Sequence, residues 1–305
     1  MEFNVRILGC SSATPLSNRF PSSQLLNHNS RYFLLDCGEG TQIQLRRLKI
    51  KFQRIDKIFI THLHGDHVFG LIGLLSSYSL LGRVKPVAIY CPRDLKEMID
   101  VTLKCSQTYL SYKINYFFHE ETEDVVWEDS SLEVRKVKLN HRIPCWGFVF
   151  QEKNQGRRLI DGVVKEYGIP YGDIEKIRQG EDYIDHLGNR IKNSDLTLAP
   201  KRLKSYAYIT DNRVKEGQVD SLKGVTTLYH EATFLRALKD KAIKTCHTTT
   251  DEVADLAKEI GVNKLIVGHY SSRYMDHDIP KFEAEISEIF KPIVLGKDGL
   301  KVEIE

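Results

Sequence analysis

The chain has 305 residues, 41% of them hydrophobic and 28% charged, with 44 basic and 41 acidic side chains giving a net charge of +3. That balance excludes a disordered chain, leaves enough apolar residues for a substantial core, and permits nucleic-acid binding without predicting it. No segment approaches the roughly 18 to 20 apolar residues of a membrane span, since the longest apolar stretch, Val68 to Gly82, is broken by Ser76, Ser77 and Ser79.

The N-terminal MEFNVRILGC lacks the basic-then-apolar order of a signal peptide, so export is not expected. It reads instead as a strand, with Phe3, Val5 and Ile7 alternating against Glu2, Asn4 and Arg6. Apolar runs of strand length follow at Tyr32–Leu35, Ile55–Ile60, Val87–Tyr90, Ile114–Phe118, Leu132–Leu139 and Gly147–Phe150. Others stand at Tyr206–Ile209, Val225–Tyr229, Leu265–Val267 and Ile293–Leu295. The stretch after His67 reads as a core helix. Thr249 with Glu252 makes a capping box ahead of Val253, Leu256, Ala257 and Ile260 at helical spacing. Pro280 suits the first turn of a further helix with Phe282, Ile286 and Ile289 on one face. Runs of strands punctuated by helices predict an α/β (α+β) architecture, sheets packed on each other with helices outside. From Gln151 to Lys204 the text turns polar, Gly-rich and poorly periodic, which predicts an insertion projecting from the domain. The six cysteines (Cys10, Cys37, Cys91, Cys105, Cys145, Cys246) contain no CxxC pair. They suit a reduced, cytoplasmic chain and do not support a cysteine-ligated zinc finger.

The chemistry concentrates in Thr61-His62-Leu63-His64-Gly65-Asp66-His67, directly after the apolar run Ile55–Ile60. Three histidines and an aspartate at a strand end are difficult to pack without a partner, and neutral imidazole with carboxylate is the donor set zinc takes. One such loop cannot close two metal spheres. Three further ligand-type residues each follow an apolar run: His141, Asp211 and His269. Taken singly, each is more often a turn or core residue than a ligand; as an ordered set they point to one site.

This pattern, His62-x-His64-x-Asp66-His67 followed by His141, Asp211 and His269, resembles the metallo-β-lactamase superfamily. Several blocks resemble more narrowly the transfer RNA 3′-processing endonucleases, ribonuclease Z. They are Gly9-Cys10-Ser11-Ser12-Ala13-Thr14-Pro15, Asp36-Cys37-Gly38-Glu39-Gly40-Thr41-Gln42 and His230-Glu231-Ala232-Thr233-Phe234, then His247-Thr248-Thr249 and His269-Tyr270-Ser271-Ser272-Arg273-Tyr274. The resemblance implies a four-layer αββα sandwich over residues 1–305 and two Zn2+ ions per subunit at one edge. One ion would take His62, His64 and His141, the other Asp66, His67 and His269, with Asp211 between them. It further implies Asp66 as general base, His247 opposite the metals acting on the phosphoryl oxygens, and Glu231 orienting His247. Without the resemblance, Glu231 and His247 would read as a surface ion pair. Asp36 and Glu39 are supporting candidates only, and Gly38 and Gly40 read as turn residues.

In the same family the segment 151–204 corresponds to an arm that grips the transfer RNA body, and a homodimer lets the arm of one subunit serve the site of the other. Between Glu152 and Lys204 there are eleven basic and nine acidic residues, so charge alone would not have identified an RNA-binding element. The arm turn reads Gly168-Ile169-Pro170-Tyr171-Gly172, a variant of the family's Gly-Pro turn. Arg46 and Arg47 open a basic cluster that is either a solvated helix face or a contact for acceptor-stem phosphates. Arg273 and Tyr274 either hold the RNA terminus or lock their loop. The first loop reads Pro15-Leu16-Ser17-Asn18-Arg19-Phe20 where some members carry Pro-x-Lys-x-Arg-Asn, so the cleavage position relative to CCA stays open. The expectation is a cytoplasmic, zinc-dependent endoribonuclease acting on precursor transfer RNA, with no membrane association. The rivals are a small-ester or phosphodiester hydrolase of the same fold and a non-enzymatic RNA-binding relict.

Overall fold

The computed structural model describes residues 2–215 and 217–305. Met1 and Glu216, inside the expected domain 1–305, lie outside the described residues. The chain forms two compact units: Met1–Trp127 with Val134–Phe150 and Ser205–Glu305, and Glu128–Glu133 with Gln151–Lys204.

Two seven-stranded sheets organise the first unit. In one, the strands run in the order Lys301–Glu303, Phe3–Gly9, Ser23–His28, Arg31–Leu35, Ile55–Phe59, Val87–Cys91, Ile114–Phe118. Pairing is antiparallel as far as Arg31–Leu35 and parallel from there to Ile114–Phe118. The other runs Ile293–Leu295, Lys264–Gly268, Thr227–Glu231, Ser205–Ile209, Trp146–Glu152, Leu132–Lys138, Val125–Glu128, and its first four strands are parallel. The sheets meet through aromatic side chains. Phe59 stacks on Tyr90 at 4.5 Å and meets Phe148 and Phe150 edge-on at 5.2 and 5.5 Å. Phe33 adds an edge contact to Phe150 at 5.5 Å. Such offset and edge-to-face pairs suit the ring quadrupoles.

The outer face of the first sheet is closed by an apolar cluster. Leu71, Leu74, Leu75 and Tyr78 of the helix Leu71–Leu80 join Leu95 and Ile99 of the helix Asp94–Cys105 beneath Ile58 and Ile89. The helices Thr250–Ile260 and Ile279–Ser287 flank the second sheet. The first has the capping box Thr249/Glu252 and ends at Gly261 in the left-handed conformation, satisfying orphan backbone groups at both ends.

Ser23–His28 is a strand that hydropathy does not reveal, because Ser-Gln-Leu-Leu-Asn-His has polar ends. It is nevertheless buried at all six positions, because it lies between two other strands with cover on both faces. Gln24 is accommodated there by the Tyr206 hydroxyl, which donates to its side-chain oxygen. Lys301–Glu303 escaped notice for a different reason: only Val302 of the three is buried.

The second unit is more ordered than its polar text suggests. Val163, Ile169, Ile177, Tyr183 and Leu196 form a small core of their own. Asn193 is buried beside it and donates to the carbonyls of Ile177 and Glu181. In the turn Gly168–Gly172, Ile169 is buried while Tyr171 is 91% exposed. No helix among the described residues is long and apolar enough to cross a membrane.

One buried histidine lies apart from the metal loop. His119 donates from Nε2 to the carbonyl of Ile60 at 2.8 Å, and its Nδ1 has no partner among the described residues. Burial lowers its pKa from the ordinary 6.5 to about 4. The neutral ring therefore contributes stability that is fully present above pH 6.5 and is lost as pH falls toward 4. His119→Gln, which keeps a donor for Ile60, should lose stability less steeply than wild type across that window in urea denaturation. Identical slopes would mean that His119 does not titrate as described.

Candidate metal centre

The candidate metal donors all lie at or just beyond the carboxyl ends of strands, whereas His247 follows the helix Lys239–Thr245. Thr61–His67 follows Ile55–Phe59 in the first sheet. In the second, Ile209 lies opposite His230 and Glu231 opposite Gly268. That register brings Asp211, Glu231 and His269 out at one level, where parallel sheets generally place their ligand crevice. Asp36, Asp211 and His269 each have a left-handed backbone, with φ of 53°, 43° and 60°. Non-glycine residues adopt this at a cost of roughly 1–2 kcal/mol, and Asp and His are among those that tolerate it. The turn directs each side chain inward as its strand ends.

The first donor group is His62, His64, His141 and Asp211. His62 Nε2 and His141 Nε2 lie 3.0 and 3.2 Å from His64 Nδ1, and both are 3.5 Å from Asp211 Oδ2. The second group is Asp66, His67 and His269. There His67 Nε2 and His269 Nε2 each lie 3.5 Å from Asp66 Oδ2, and 3.0 and 2.9 Å from Asp211 Oδ1. Asp211 thus offers one oxygen to each group. The separations match the edges of a tetrahedron with bonds of about 2.0–2.1 Å, for which the ligand spacing is about 3.3 Å.

The tautomers agree with this geometry. His67 Nδ1 donates to Asp36 Oδ2 at 2.7 Å, and His141 Nδ1 to the Cys246 carbonyl at 3.1 Å. His269 Nδ1 meets the Thr233 hydroxyl at 2.9 Å, and His62 Nδ1 the Thr61 hydroxyl at 3.0 Å. Each hydroxyl also donates to a carboxylate, Thr233 to Glu231 and Thr61 to Asp36. The Nδ1 protons being fixed, the Nε2 lone pairs of these four rings face the cluster. His67 Nε2 and His269 Nε2 are buried without a hydrogen-bond partner among the described residues, despite the nearby carboxylate oxygens. Converging lone pairs that no donor satisfies fit a cation.

Electrostatics divides the two groups. Burial holds His62, His64 and His141 below the ordinary imidazole pKa, His141 at about 4, and mutual repulsion adds to it. Burial opposes charge on His67 and His269 too. There the Asp211 and Asp66 carboxylates prevail, raising His67 well above 6.5 and His269 to about 10. For Nε2 of either ring to bind a cation, the second proton that these carboxylates favour must be given up.

Glu231 and His247 stand next to the donors and are not a surface pair. Glu231 is fully buried and accepts from the backbone N–H groups of Asn212, Thr233 and Thr248, the Thr233 hydroxyl, and His247 Nδ1 at 2.8 Å. Burial would raise its pKa, but His247 outweighs that and lowers it to about 2. His247, though buried, is raised in turn by Glu231. Its ligand atom also groups with Asp211 and His269.

A cleft of about 360 Å³ opens over this cluster, lined among others by His64, Asp66, Asp211, His247, Glu39 and Arg142. Sequence reasoning overlooked Arg142, whose only signal was its position beside His141. It assigned Asp36 no more than a supporting place. That carboxylate is fully buried and accepts from Thr61 N–H at 2.8 Å, the Tyr208 hydroxyl at 3.0 Å and His67. Gly38 is also more than a turn residue: a Cβ there would fall 2.4 Å from the Asp66 carbonyl oxygen.

Four RNA-contact candidates do not line the cleft. Arg46 and Arg47 are exposed on the helix Thr41–Arg47, over the rings of Phe52 and Phe20. Arg273 is exposed and lies over Phe234. Tyr274 is 7% exposed, its ring edge-on to Phe282 and its hydroxyl accepting from Leu235 N–H. Of its two expected roles, this placement suits locking the loop. Arg19 is also buried and donates to the Tyr274 carbonyl.

Two facing sheets with a histidine–aspartate cluster at their carboxyl edge define a hydrolase of the metallo-β-lactamase fold. The metallo-β-lactamase fold protein YhfI from Bacillus subtilis covers 99% of this chain and 100% of its own at a TM-score of 0.67 and 17% identity. The model of a family described as Anti-Pycsar protein Apyc1 matches residues 3–155, a span that holds the histidine loop and His141 but not Asp211, Glu231, His247 or His269. Matches over the full length are more specific. A protein named Ribonuclease Z from Bacteroides fragilis is 40% identical over 306 residues, 99% of either chain. Human tRNase Z, short form, is 28% identical and covers 99% of both chains at a TM-score of 0.69. The chain belongs to the ribonuclease Z family, and its activity is that of an endoribonuclease.

Asp36 reaches the donors only through His67 and Thr61, so its charge can be removed without removing a ligand. Asp36→Asn should stay folded and lose about 10- to 100-fold in divalent-metal affinity, measured by competition with a chromogenic chelator. Unchanged affinity would show that the carboxylate does not support the His67 ring.

Proposed function

We propose that the enzyme removes 3′ trailers from precursor transfer RNA by hydrolysis at a two-zinc centre, leaving a 3′-hydroxyl on the transfer RNA and a 5′-phosphate on the trailer. The observation that carries this reading is Asp211, whose two oxygens serve separate donor groups. In it His62, His64 and His141 would hold one ion, Asp66, His67 and His269 the other, and Asp211 would serve both. Zinc is the choice for imidazole and carboxylate donors in near-tetrahedral spacing. When bound, such a pair acidifies water and neutralises charge on a phosphodiester.

The protein's own groups supply the rest. Asp66 Oδ2 is oriented by the N–H of Ala13 at 2.8 Å and is the general base. Glu231 keeps His247 protonated on Nδ1 and favours its charged form, so that Nε2 carries the proton for the departing 3′-oxygen. Arg142 adds positive charge to the cleft for the flanking phosphates. Residues 151–204 are the arm for the transfer RNA body, a role supported by the exposed Tyr171 on its turn and by the family to which the chain belongs. The same family likeness carries a homodimer. All six cysteines are unpaired, which supports a cytoplasmic location.

The direct test is cleavage of a 3′-extended precursor transfer RNA, with and without an encoded CCA, mapped to single nucleotides before metal stripping, after it, and after zinc return. The expected result is one cut near the discriminator or just after CCA, lost and regained with zinc. Hydrolysis of a small phosphodiester with no cut in either RNA would move the chain to a generic hydrolase of this fold. Asp66→Ala should abolish the cut while leaving RNA binding in gel-shift assays largely intact. His247→Ala should lower kcat by about 100-fold or more with little change in KM; a loss confined to KM would remove the proton-donor role.

A further inference from the structure

One apolar side chain of the metal loop is turned outward. In the stretch after His67, Val68, Leu71, Leu74 and Leu75 are fully buried, whereas Phe69 is 64% exposed. Isolated apolar side chains are ordinary at a surface, so exposure alone decides nothing. Position decides more. Phe69 lines the cleft with Asp66 and Arg142, and among the described lining residues it carries the one aromatic ring besides the imidazoles.

The main chain beneath it is held on both sides. Phe69 N–H donates to the Gly65 carbonyl and Gly70 N–H to that of Cys37, both at 2.9 Å. A Cβ on Gly70 would fall 2.1 Å from the Gly38 carbonyl oxygen, so this segment is wedged against the second loop. The ring itself lies on Gly65, where a Cβ would meet it at 2.2 Å. Gly65 does not have the left-handed backbone that favours glycine. Its missing side chain is the space the ring occupies. A rigidly based ring, packed on a glycine and open to the cleft beside the donors, suits a flat apolar ligand face. Single-stranded RNA supplies such a face in every unstacked base.

Resting on the ribonuclease reading above, we propose that Phe69 is the stacking platform for a nucleobase flanking the scissile phosphodiester, and so a specificity-determining residue. Stacking acts through the π-face, so it tolerates any base but not the absence of one.

The test measures kcat/KM on a precursor transfer RNA and on versions with an abasic nucleotide on either side of the mapped cut. It uses wild type and Phe69→Ala, Phe69→Leu and Phe69→Trp, each with its metal content verified. Phe69→Ala should lose about 10- to 100-fold on the normal precursor. Phe69→Leu, apolar without a π-face, should lose a similar factor, and Phe69→Trp should stay close to wild type. One abasic position should bring wild type down to the Phe69→Ala level while leaving Phe69→Ala unchanged. Wild-type rates in both Phe69→Ala and Phe69→Leu, or equal sensitivity of Phe69→Ala and wild type to both abasic positions, would overturn the assignment of Phe69 alone. A wild type that cuts no precursor overturns the ribonuclease reading and this proposal with it.

Discussion

The Asp36 carboxylate is buried between two sheets and touches both. Its oxygens accept from the Thr61 backbone and hydroxyl and from His67 in the first sheet's loops, and from the Tyr208 hydroxyl of the second sheet. A buried anion is tolerable only when its lone pairs are filled. Filling them here fixes the start of the metal loop, the tautomer of His67 and the approach of the two sheets together. Replacing any one donor would leave a charge in an apolar layer. That dependence explains why the loop can be polar and still bury Thr61, His62 and His67.

Glu231 repeats the device on the opposite side. It collects three backbone N–H groups, a hydroxyl and an imidazole from four separate loop positions. The centre is thus framed by two buried carboxylates that reach the donors through intervening groups. Arg213 extends the frame outward. It forms a two-pronged pair with Glu252, donates to the His247 carbonyl, and exchanges backbone and side-chain bonds with Asn140 beside His141. The loops carrying His141, Asp211 and His247 are consequently tied to one another, not merely adjacent. Preorganisation of this kind is what holds a metal geometry within the tolerance that catalysis requires.

Much of this is legible in the sequence alone. Strands buried on one or both faces announce themselves as apolar runs, and the histidine loop follows one of them. His141, Asp211 and His269 were readable because each interrupts such a run with a residue that prefers water. Ser23–His28 was not readable, since its buried Gln24 and Asn27 break the apolar pattern by which a strand covered on both faces is recognised. Asp36 was visible as a motif residue, but its four donors come from Thr61, His67 and Tyr208, and no local pattern encodes contacts that distant. The small core of the second unit was not legible for a related reason. A core of five buried side chains drawn from 34 positions, Val163 to Leu196, leaves no periodic trace. Phe69 stood in the stretch read as a core helix and Arg142 beside the ligand candidate His141, yet exposure is a property of the folded surface and has no signature in spacing.

The left-handed backbones at Asp36, Asp211 and His269 lend the centre a further property. Each holds its residue in a sparsely populated conformation that the surrounding packing must maintain. Any divalent cation that binds the folded chain and not the unfolded one stabilises it by an amount that grows with the logarithm of its free concentration, about 4 kcal/mol at a thousandfold excess over Kd. On the two-ion reading proposed above, the lifetime of the chain would follow cation supply, and scarcity of the ion would cost resistance to unfolding and proteolysis along with activity, making the site a gauge of the ion it employs.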